Sequence, residues 1–473
     1  MNIDILKKRI AIALVFLIAA MPLMYNMKAM NNQMIHATDF SIYQEAIYKI
    51  SKYGDLNPYL TMRGFRIFND HVDPIIYLSA LFTKVFGYGP KNLLIFESLF
   101  YFGLIGFFLY SSKLSLKFKL YGTALILLTK GLLSGLLFPI HPSTWAMLPC
   151  FLLIYFAIRD EYKKMLIISL ILITFRESFA FNLIGLSFYF LVIKKYRISF
   201  AVLGIAVSSL LITYVGRPLL LDGERINYAN RLLAPYIASP LKSLMGLITE
   251  LDYKAYLKVL GPFIVGFSIL FKHESVDNKK LWLPIAFVLP SIGIFVLNRS
   301  IGYQYGAQVC APLLVPILYL GKEAIFARKK ALLGLLVVFL VTGVGRYTRM
   351  NKLLLLNYSK STDTSIDKRK EYKEISNYLK DKKEIATNGM LAPGILLPHS
   401  NIYEIGYFSP KMPSYNYLFL IKPTFGDTRP LSTAFQKEMI DLCRATSEIV
   451  KDTKYFILFS KLSEKCIKKI NRD

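Results

Sequence analysis

The sequence predicts an α-helical polytopic membrane protein that carries a small α/β domain at its carboxyl end. Three observations predict it. Hydrophobic residues make up 54% of the 473 positions and charged residues only 19%, with a mean hydropathy of +0.42, far from the charged balance of a soluble domain. Apolar stretches long enough to cross a hydrocarbon core of roughly 30 Å, about 20 helical residues each, recur through the first three quarters of the chain. After residue 346 the pattern changes to short apolar runs alternating with helix-like segments. A single anchor or a cleaved leader produces no such recurrence.

The formal net charge is +27, but the Lys and Arg residues fall in short clusters between apolar spans and not in one stripe. That distribution excludes nucleic acid and reads as topology. The acidic partners it suits are anionic lipid headgroups and a phosphorylated lipid substrate. Four cysteines are too few for a disulfide scaffold. Cys150 and Cys310 sit in apolar spans as small hydrophobes, and pairing of Cys443 with Cys466 in the tail is left open.

In chain order, the first span covers residues 10–27 behind Lys7-Lys8-Arg9, so the positive-inside rule puts the amino terminus in the cytoplasm. The polar segment that follows lies outside. Within it Phe40, Tyr43, Ile47 and Ile50 recur at helical spacing and predict an amphipathic helix along the outer membrane surface. Residues 74–87 are apolar but short, and Gly87 and Gly89-Pro90 end them, which predicts a half-inserted helix. Spans follow at 91–110, 120–138, 143–158, 164–176, 178–193, 198–216, 256–271, 281–297, 305–320 and 330–346. That makes about 11 crossings of the usual helical length. The connections this threading puts inside, from Lys113–Lys119 to Lys322–Lys330, are short and basic, as the charge rule requires. At Arg176-Glu177 a tight outer turn and a broken helix both fit. The domain boundaries predicted are a transmembrane domain over 1–346, including an outer loop 28–90, and a soluble extracytoplasmic α/β domain over 347–473. In the latter, 384–387, 415–421 and 455–460 read as strands, with helices around 366–379 and 433–446.

The same threading gathers the unusual polar residues on the outer side. Asp39 follows the first span, where it suits a general base toward an acceptor hydroxyl, a metal ligand or a helix N-cap. His71-Val72-Asp73-Pro74 suits cation or phosphate binding, and equally the first turn of a helix. His141-Pro142 lies where a span reaches the surface, and Arg176-Glu177 offers either a self-satisfied pair or an arginine for a lipid phosphate. Arg63, Arg66, Arg299, Tyr303 and Tyr305 add phosphate or sugar contacts on that face. No Cys-rich or His-x-x-x-His pattern supports zinc, and a divalent cation shared by Asp39, His71 and Asp73 is left open.

Taken together, Asp39 with Gln44, His71-Val72-Asp73-Pro74, His141-Pro142, Arg176-Glu177-Ser178, Tyr303-Gln304-Tyr305 before Pro312, and Leu397-Pro398-His399 resemble the bacterial domain-of-unknown-function family 2079, grouped with the GT-C superfamily of glycosyltransferases. The resemblance runs from about Asp39 into the tail. It implies a GT-C-like helical domain, a polyprenyl-phosphate sugar donor, a glycan, lipid or protein acceptor at the outer face of the bacterial cytoplasmic membrane, and Asp39 at the position of the superfamily's catalytic acid. His71, Asp73, His141, Arg176, Glu177, Arg63, Tyr303 and Tyr305 then become substrate-binding residues. The paired acidic residues of some members' first loops are absent at Asp39. Two other classes compete: a transporter or flippase of a lipid-linked or anionic solute, which would place its ionisable residues near the bilayer midplane, and a membrane scaffold without catalysis.

Overall fold

The computed structural model describes residues 3–31, 37–61, 65–220, 234, 236–297, 301, 305–351, 362–379, 382, 384–387, 402–404, 415–422 and 433–471. Helices α1 (Ile3–Ala19) and α2 (Met21–Asn31) together supply the apolar stretch Arg9–Met30. Then come α3 (Ala37–Tyr53), a hairpin of β1 (Tyr59–Leu60) and β2 (Phe65–Arg66), α4 (Ile67–Asp70) and α5 (Ile76–Phe86). A long helical run follows: α6 (Pro90–Ser111), α7 (Leu116–Leu128), α8 (Lys130–Leu136), α9 (Pro142–Trp145), α10 (Met147–Ile158), α11 (Tyr162–Leu172), α12 (Phe179–Val192), α13 (Tyr196–Leu211) continuing through a π-helical turn at Ile212–Gly216, and α14 (Arg217–Leu220). It continues with α15 (Pro240–Glu250), α16 (Tyr253–Phe271), α17 (Asn278–Leu297), α18 (Tyr305–Tyr319) and α19 (Lys329–Asn351). The tail holds α20 (Thr362–Leu379), β3 (Ile385–Thr387), β4 (Ile402–Glu404), β5 (Tyr417–Ile421), α21 (Thr433–Thr446), β6 (Glu448–Asp452), β7 (Phe456–Ser460) and α22 (Glu464–Ile470).

Among the described residues six helices are long and apolar enough to cross a membrane, and Ile76–Phe86, Pro142–Ile158, Phe179–Val192 and Tyr305–Tyr319 are shorter apolar helices. The chain is thus a mostly helical, multi-pass membrane protein. One predicted segment differs in detail, and at another the structure takes one of the two forms left open. The apolar run 120–138 is two helices, because Thr129 adopts extended backbone (ψ 106°) between α7 and α8. At Arg176-Glu177 the chain turns: residues 173–178 link α11 to α12.

The contacts divide the chain into two compact units. One comprises Met1–Leu23, His71–Ile75 and Ile95–Met350, and is the helical bundle. In it α12 packs on α13 and α17, and α18 packs on α8 and α10. Small residues let the backbones close up, as helix packing in lipid favours. A Cβ on Gly131 of α8 would collide with Cys310 Sγ and stand 2.8 Å from the Gly306 carbonyl oxygen of α18.

The other unit comprises Met24–Asp70, Ile76–Leu94 and Asn351–Asp473. In α3 the apolar residues Phe40, Tyr43, Ile47 and Ile50 are buried, but so are Ser41, Ile42, Gln44, Glu45 and Ala46, so burial is not confined to one face as the amphipathic spacing predicts. Its polar member Glu45 accepts from Thr61 N–H (2.9 Å), Thr61 Oγ1 (2.8 Å) and Lys49 Nζ (2.6 Å), which pins the hairpin to the helix. Helix α5 has 11 residues, about 16 Å of rise, too short to cross a bilayer core. In the tail the strand order is β4-β3-β5-β7-β6, with β3 parallel to β4 and β5 and with β7 antiparallel to β5 and β6. Side chains alternate between faces. Phe419, Ile421, Phe456 and Leu458 pack with Tyr372, Ile375 and Leu379 of α20, whereas Leu418, Leu420, Ile457 and Phe459 pack with Met439, Ile440 and Cys443 of α21 and Cys466 and Ile470 of α22. A sheet covered on both faces needs continuous apolar strands, which is why Phe456-Ile457-Leu458-Phe459 has no polar alternation. Cys443 and Cys466 form a disulfide between α21 and α22.

Gly131→Val should cost about 1–3 kcal/mol by overpacking the α8–α18 contact. The thermal unfolding midpoint in detergent should fall, whereas Gly204→Ala, with nothing within 4 Å of the added carbon, should leave it unchanged; an unaltered midpoint for Gly131→Val would contradict the packing.

Candidate functional site

Two carboxylates inside the bundle unit organise the polar residues that the sequence singles out. Glu177, in the turn before α12, receives the segment His71–Ile75. Its Oε1 lies 2.8 Å from His71 Nδ1 and its Oε2 accepts the Val72 N–H at 3.1 Å. An ionised carboxylate only accepts, so Nδ1 carries the proton and the ring is held in one orientation. A backbone bond from Ile75 N–H to the Thr174 oxygen, 2.9 Å, fastens the other end of the segment to the same turn. Asp73, between these two tethers, is buried. Burial alone would raise the Glu177 carboxyl, but the charge and hydrogen bond of His71 and the charge of neighbouring Arg176 outweigh it and hold the carboxyl down at about 2. Arg176 is itself buried, so it brings a guanidinium charge into a largely water-free corner.

The second carboxylate is Glu97, completely enclosed in α6. Its Oε1 accepts from Ile140 N–H (3.0 Å), His141 N–H (3.5 Å) and Trp145 Nε1 (3.2 Å). This carboxylate explains how Ile140 keeps a left-handed backbone (φ +66°), a conformation that a β-branched residue resists. The kink sets His141 at the N-cap position of α9 with Pro142 in its first turn. The buried His141 ring stacks on Phe138 (centroids 4.9 Å), with Nδ1 3.2 Å from the Phe138 oxygen.

Four rings join the two corners. Phe100 lies parallel to Trp145 at 6.2 Å and edge-on to Phe175 at 5.7 Å, while Phe96 meets Trp145 at 5.1 Å. Trp145 is held by Glu97, and Phe175 immediately precedes Arg176. The histidines, the buried arginine and both carboxylates therefore share one aromatic framework. It can orient an imidazole and present a guanidinium, the equipment for gripping a phosphate oxygen.

Of the residues the sequence nominates, His71 and Glu177 meet directly, buried Arg176 is the neighbour of Glu177 in the same turn, Asp73 rides on the His71 segment and His141 occupies the adjoining corner. Tyr305 begins α18, where its ring packs on Phe295 at 4.9 Å. Asp39 falls in the first turn of α3, and its side chain lies outside the described residues, as do Arg63, Tyr303, Arg299 and Leu397-Pro398-His399. Among the described residues no group of three or more His, Cys, Asp or Glu side chains is placed to hold a metal ion, and His71 Nδ1 is committed to Glu177. Glu97 went unread in the sequence, although an acidic residue inside an apolar span is itself a functional signal.

No family model matches the chain, and no curated protein matches it. Solved structures do resemble it. The crystal structure of ArnT from Cupriavidus metallidurans bound to undecaprenyl phosphate aligns over 96% of this chain and 98% of that one, with a TM-score of 0.53 at 12% sequence identity. The likeness is one of fold.

Glu97→Ala should strand three buried donors at about 1–3 kcal/mol each and sharply reduce the yield of folded protein, whereas Glu97→Gln keeps an accepting oxygen and should be tolerated. Equal yields of the two would contradict the role assigned to Glu97. For Glu177, a folded carboxyl titrating below its unfolded value near 4.3 gives stability that is complete above about pH 5 and is lost as pH falls toward 2. Glu177→Gln should therefore lower the unfolding midpoint at pH 7 and remove the extra loss on acidification that the unaltered protein shows; parallel loss in both proteins would contradict the pair.

Proposed function

We propose that the chain is a glycosyltransferase of the GT-C type, which takes a sugar from a polyprenyl-phosphate-linked donor and passes it to an acceptor on the outer face of the bacterial cytoplasmic membrane. One observation carries the reading: the buried Arg176 lies in the turn between α11 and α12, whose Glu177 holds His71. The fold-level likeness to a protein bound to undecaprenyl phosphate supports it. So does the Cys443–Cys466 disulfide, a bond that persists in oxidising compartments and suits a tail outside the cytoplasm.

In this reaction Arg176 and His71 hold the donor's phosphate. Asp39 takes the proton from the acceptor hydroxyl, whose oxygen attacks the sugar's anomeric carbon. The bond from that carbon to the phosphate oxygen breaks, and the lipid phosphate leaves with the electron pair. Guanidinium and imidazole neutralise the charge that gathers on the departing oxygen. Arg63, Asp73, His141, Tyr303 and Tyr305 complete the contacts to sugar and acceptor. Membrane lipid surrounds the donor throughout.

Purified protein in liposomes, given polyprenyl-phosphate sugars, should release lipid phosphate and glycosylate an acceptor. Asp39→Asn should slow transfer by at least about 100-fold, the usual reach of a general base, with insertion and unfolding midpoint unchanged. Full turnover by Asp39→Asn would remove the base. Passage of the lipid-linked sugar across sealed vesicles with no covalent change would turn the reading to transport.

A further inference from the structure

Helix α3 carries two stripes, and the reaction above uses neither. Phe40, Tyr43, Ile47 and Ile50 form the apolar one. Ser41, Glu45 and Tyr48, at i, i+4 and i+7, form a second, polar one on a different face. On a helix lying along a membrane surface such a stripe faces water. Here Ser41 is 0% exposed and Glu45 only 3%.

Polar groups taken out of water call for partners inside the protein. Glu45 has them on one oxygen. Its Oε1 accepts from the Lys49 ammonium (2.6 Å), the Thr61 N–H (2.9 Å) and the Thr61 hydroxyl (2.8 Å), whereas its buried Oε2 has no hydrogen-bond partner among the described residues. One turn earlier the buried Ser41 hydroxyl has none among them either. Buried hydroxyls on other helices fold back onto their own backbone, Thr83 onto the Ala80 oxygen and Ser169 onto the Met165 oxygen, each at 2.9 Å. Ser41 makes no such bond, and both orphaned atoms are destabilising unless a bound group completes them.

The chemistry of that group follows from the charges. Lys49 already matches the charge of Glu45, so the second oxygen calls for a neutral donor and not for a metal ion or an ammonium. A hydroxyl donates to a carboxylate oxygen, and it both donates to and accepts from a serine. Side chains at i and i+4 stand about 5–6 Å apart at their Cβ atoms, a spacing that neighbouring hydroxyls on one sugar ring can bridge. The next turn is aromatic: Tyr88 meets the Tyr48 ring edge-on at 4.2 Å and donates its hydroxyl to the Gln44 oxygen at 3.1 Å. Rings beside polar groups suit a sugar, whose faces are C–H and whose rim is hydroxyl.

We propose that Ser41 and Glu45 form a subsite for two hydroxyls of a carbohydrate, and that this carbohydrate is the acceptor. The acceptor role rests on the transferase reading, in which Asp39, two residues before Ser41 on the same helix, takes the acceptor's proton; the hydroxyl subsite does not.

The test reads binding and stability before transfer. Full-length protein in nanodiscs of phosphatidylcholine is titrated with the methyl glycosides of glucose, galactose, mannose and N-acetylglucosamine, and with glycerol, by saturation-transfer NMR. At least one glycoside should bind, and glycerol should bind at least about tenfold more weakly. Ser41→Ala and Glu45→Gln should each weaken that glycoside by about five- to tenfold, the loss of one hydrogen bond. The unfolding midpoint of Ser41→Ala should stay level or rise, because the change removes a buried hydroxyl that has no partner. A serine that serves only the fold would lower the midpoint and leave binding unchanged, which overturns the proposal. Absence of binding by all four glycosides, or glycerol binding as tightly as they do, overturns it too. Should Glu45→Gln fail to fold because the hairpin loses its anchor, Ser41→Ala decides. The glycoside that binds should also be the one glycosylated when a polyprenyl-phosphate sugar is supplied. Transfer to some other acceptor, with glycoside binding intact, overturns the acceptor role. No transfer at all, with binding still dependent on Ser41 and Glu45, contradicts the transferase reading and upholds the subsite.

Discussion

The Glu177 carboxylate is the constraint on which the candidate site depends. It joins residues more than 100 positions apart, taking the His71 ring on one oxygen and the Val72 backbone on the other. The Ile75 N–H bond to the Thr174 oxygen fastens the far end of the segment, so the carboxylate decides where the near end and its imidazole sit. A buried carboxylate is expensive unless its oxygens are satisfied and a cation faces it. His71 and the charge of Arg176 meet that condition, so one arrangement both settles the ion pair and brings an imidazole to the turn that carries a buried guanidinium.

Glu97 does the same work by a different route. It is an acceptor for three N–H groups and stabilises a kink that the side chain of Ile140 would otherwise resist. Strain held in this way is common where a structure must hold a functional group in place. Here the group is His141, and the rings of Phe96, Phe100, Trp145 and Phe175 keep its corner in register with that of Arg176.

Much of this was legible in the sequence, for reasons that differ from residue to residue. Apolar runs of membrane length announce helices because lipid satisfies no backbone group. The unbroken Phe456-Ile457-Leu458-Phe459 announces a strand covered on both faces, and the helical spacing of Phe40, Tyr43, Ile47 and Ile50 announces the helix α3 but not the burial of its polar residues Ser41, Gln44 and Glu45. Arg176-Glu177 stood out because charge is rare at that depth. What the pattern hid were single charges averaged away inside apolar windows, Glu97 and Lys130 above all, and the break at Thr129, which no Gly or Pro marks. Partners distant along the chain were hidden as well, since nothing near His71 points to residue 177. Asp39, Arg63 and Tyr303 lie outside what the structure describes.

The transferase reading requires the phosphate of a polyprenyl-phosphate lipid at the corner that Glu177 organises. A cryo-electron microscopy map of the protein in nanodiscs loaded with undecaprenyl phosphate measures this most directly. The account predicts phosphate density within hydrogen-bond reach of Arg176 and His71. Phosphate density elsewhere, with that corner empty, would contradict it.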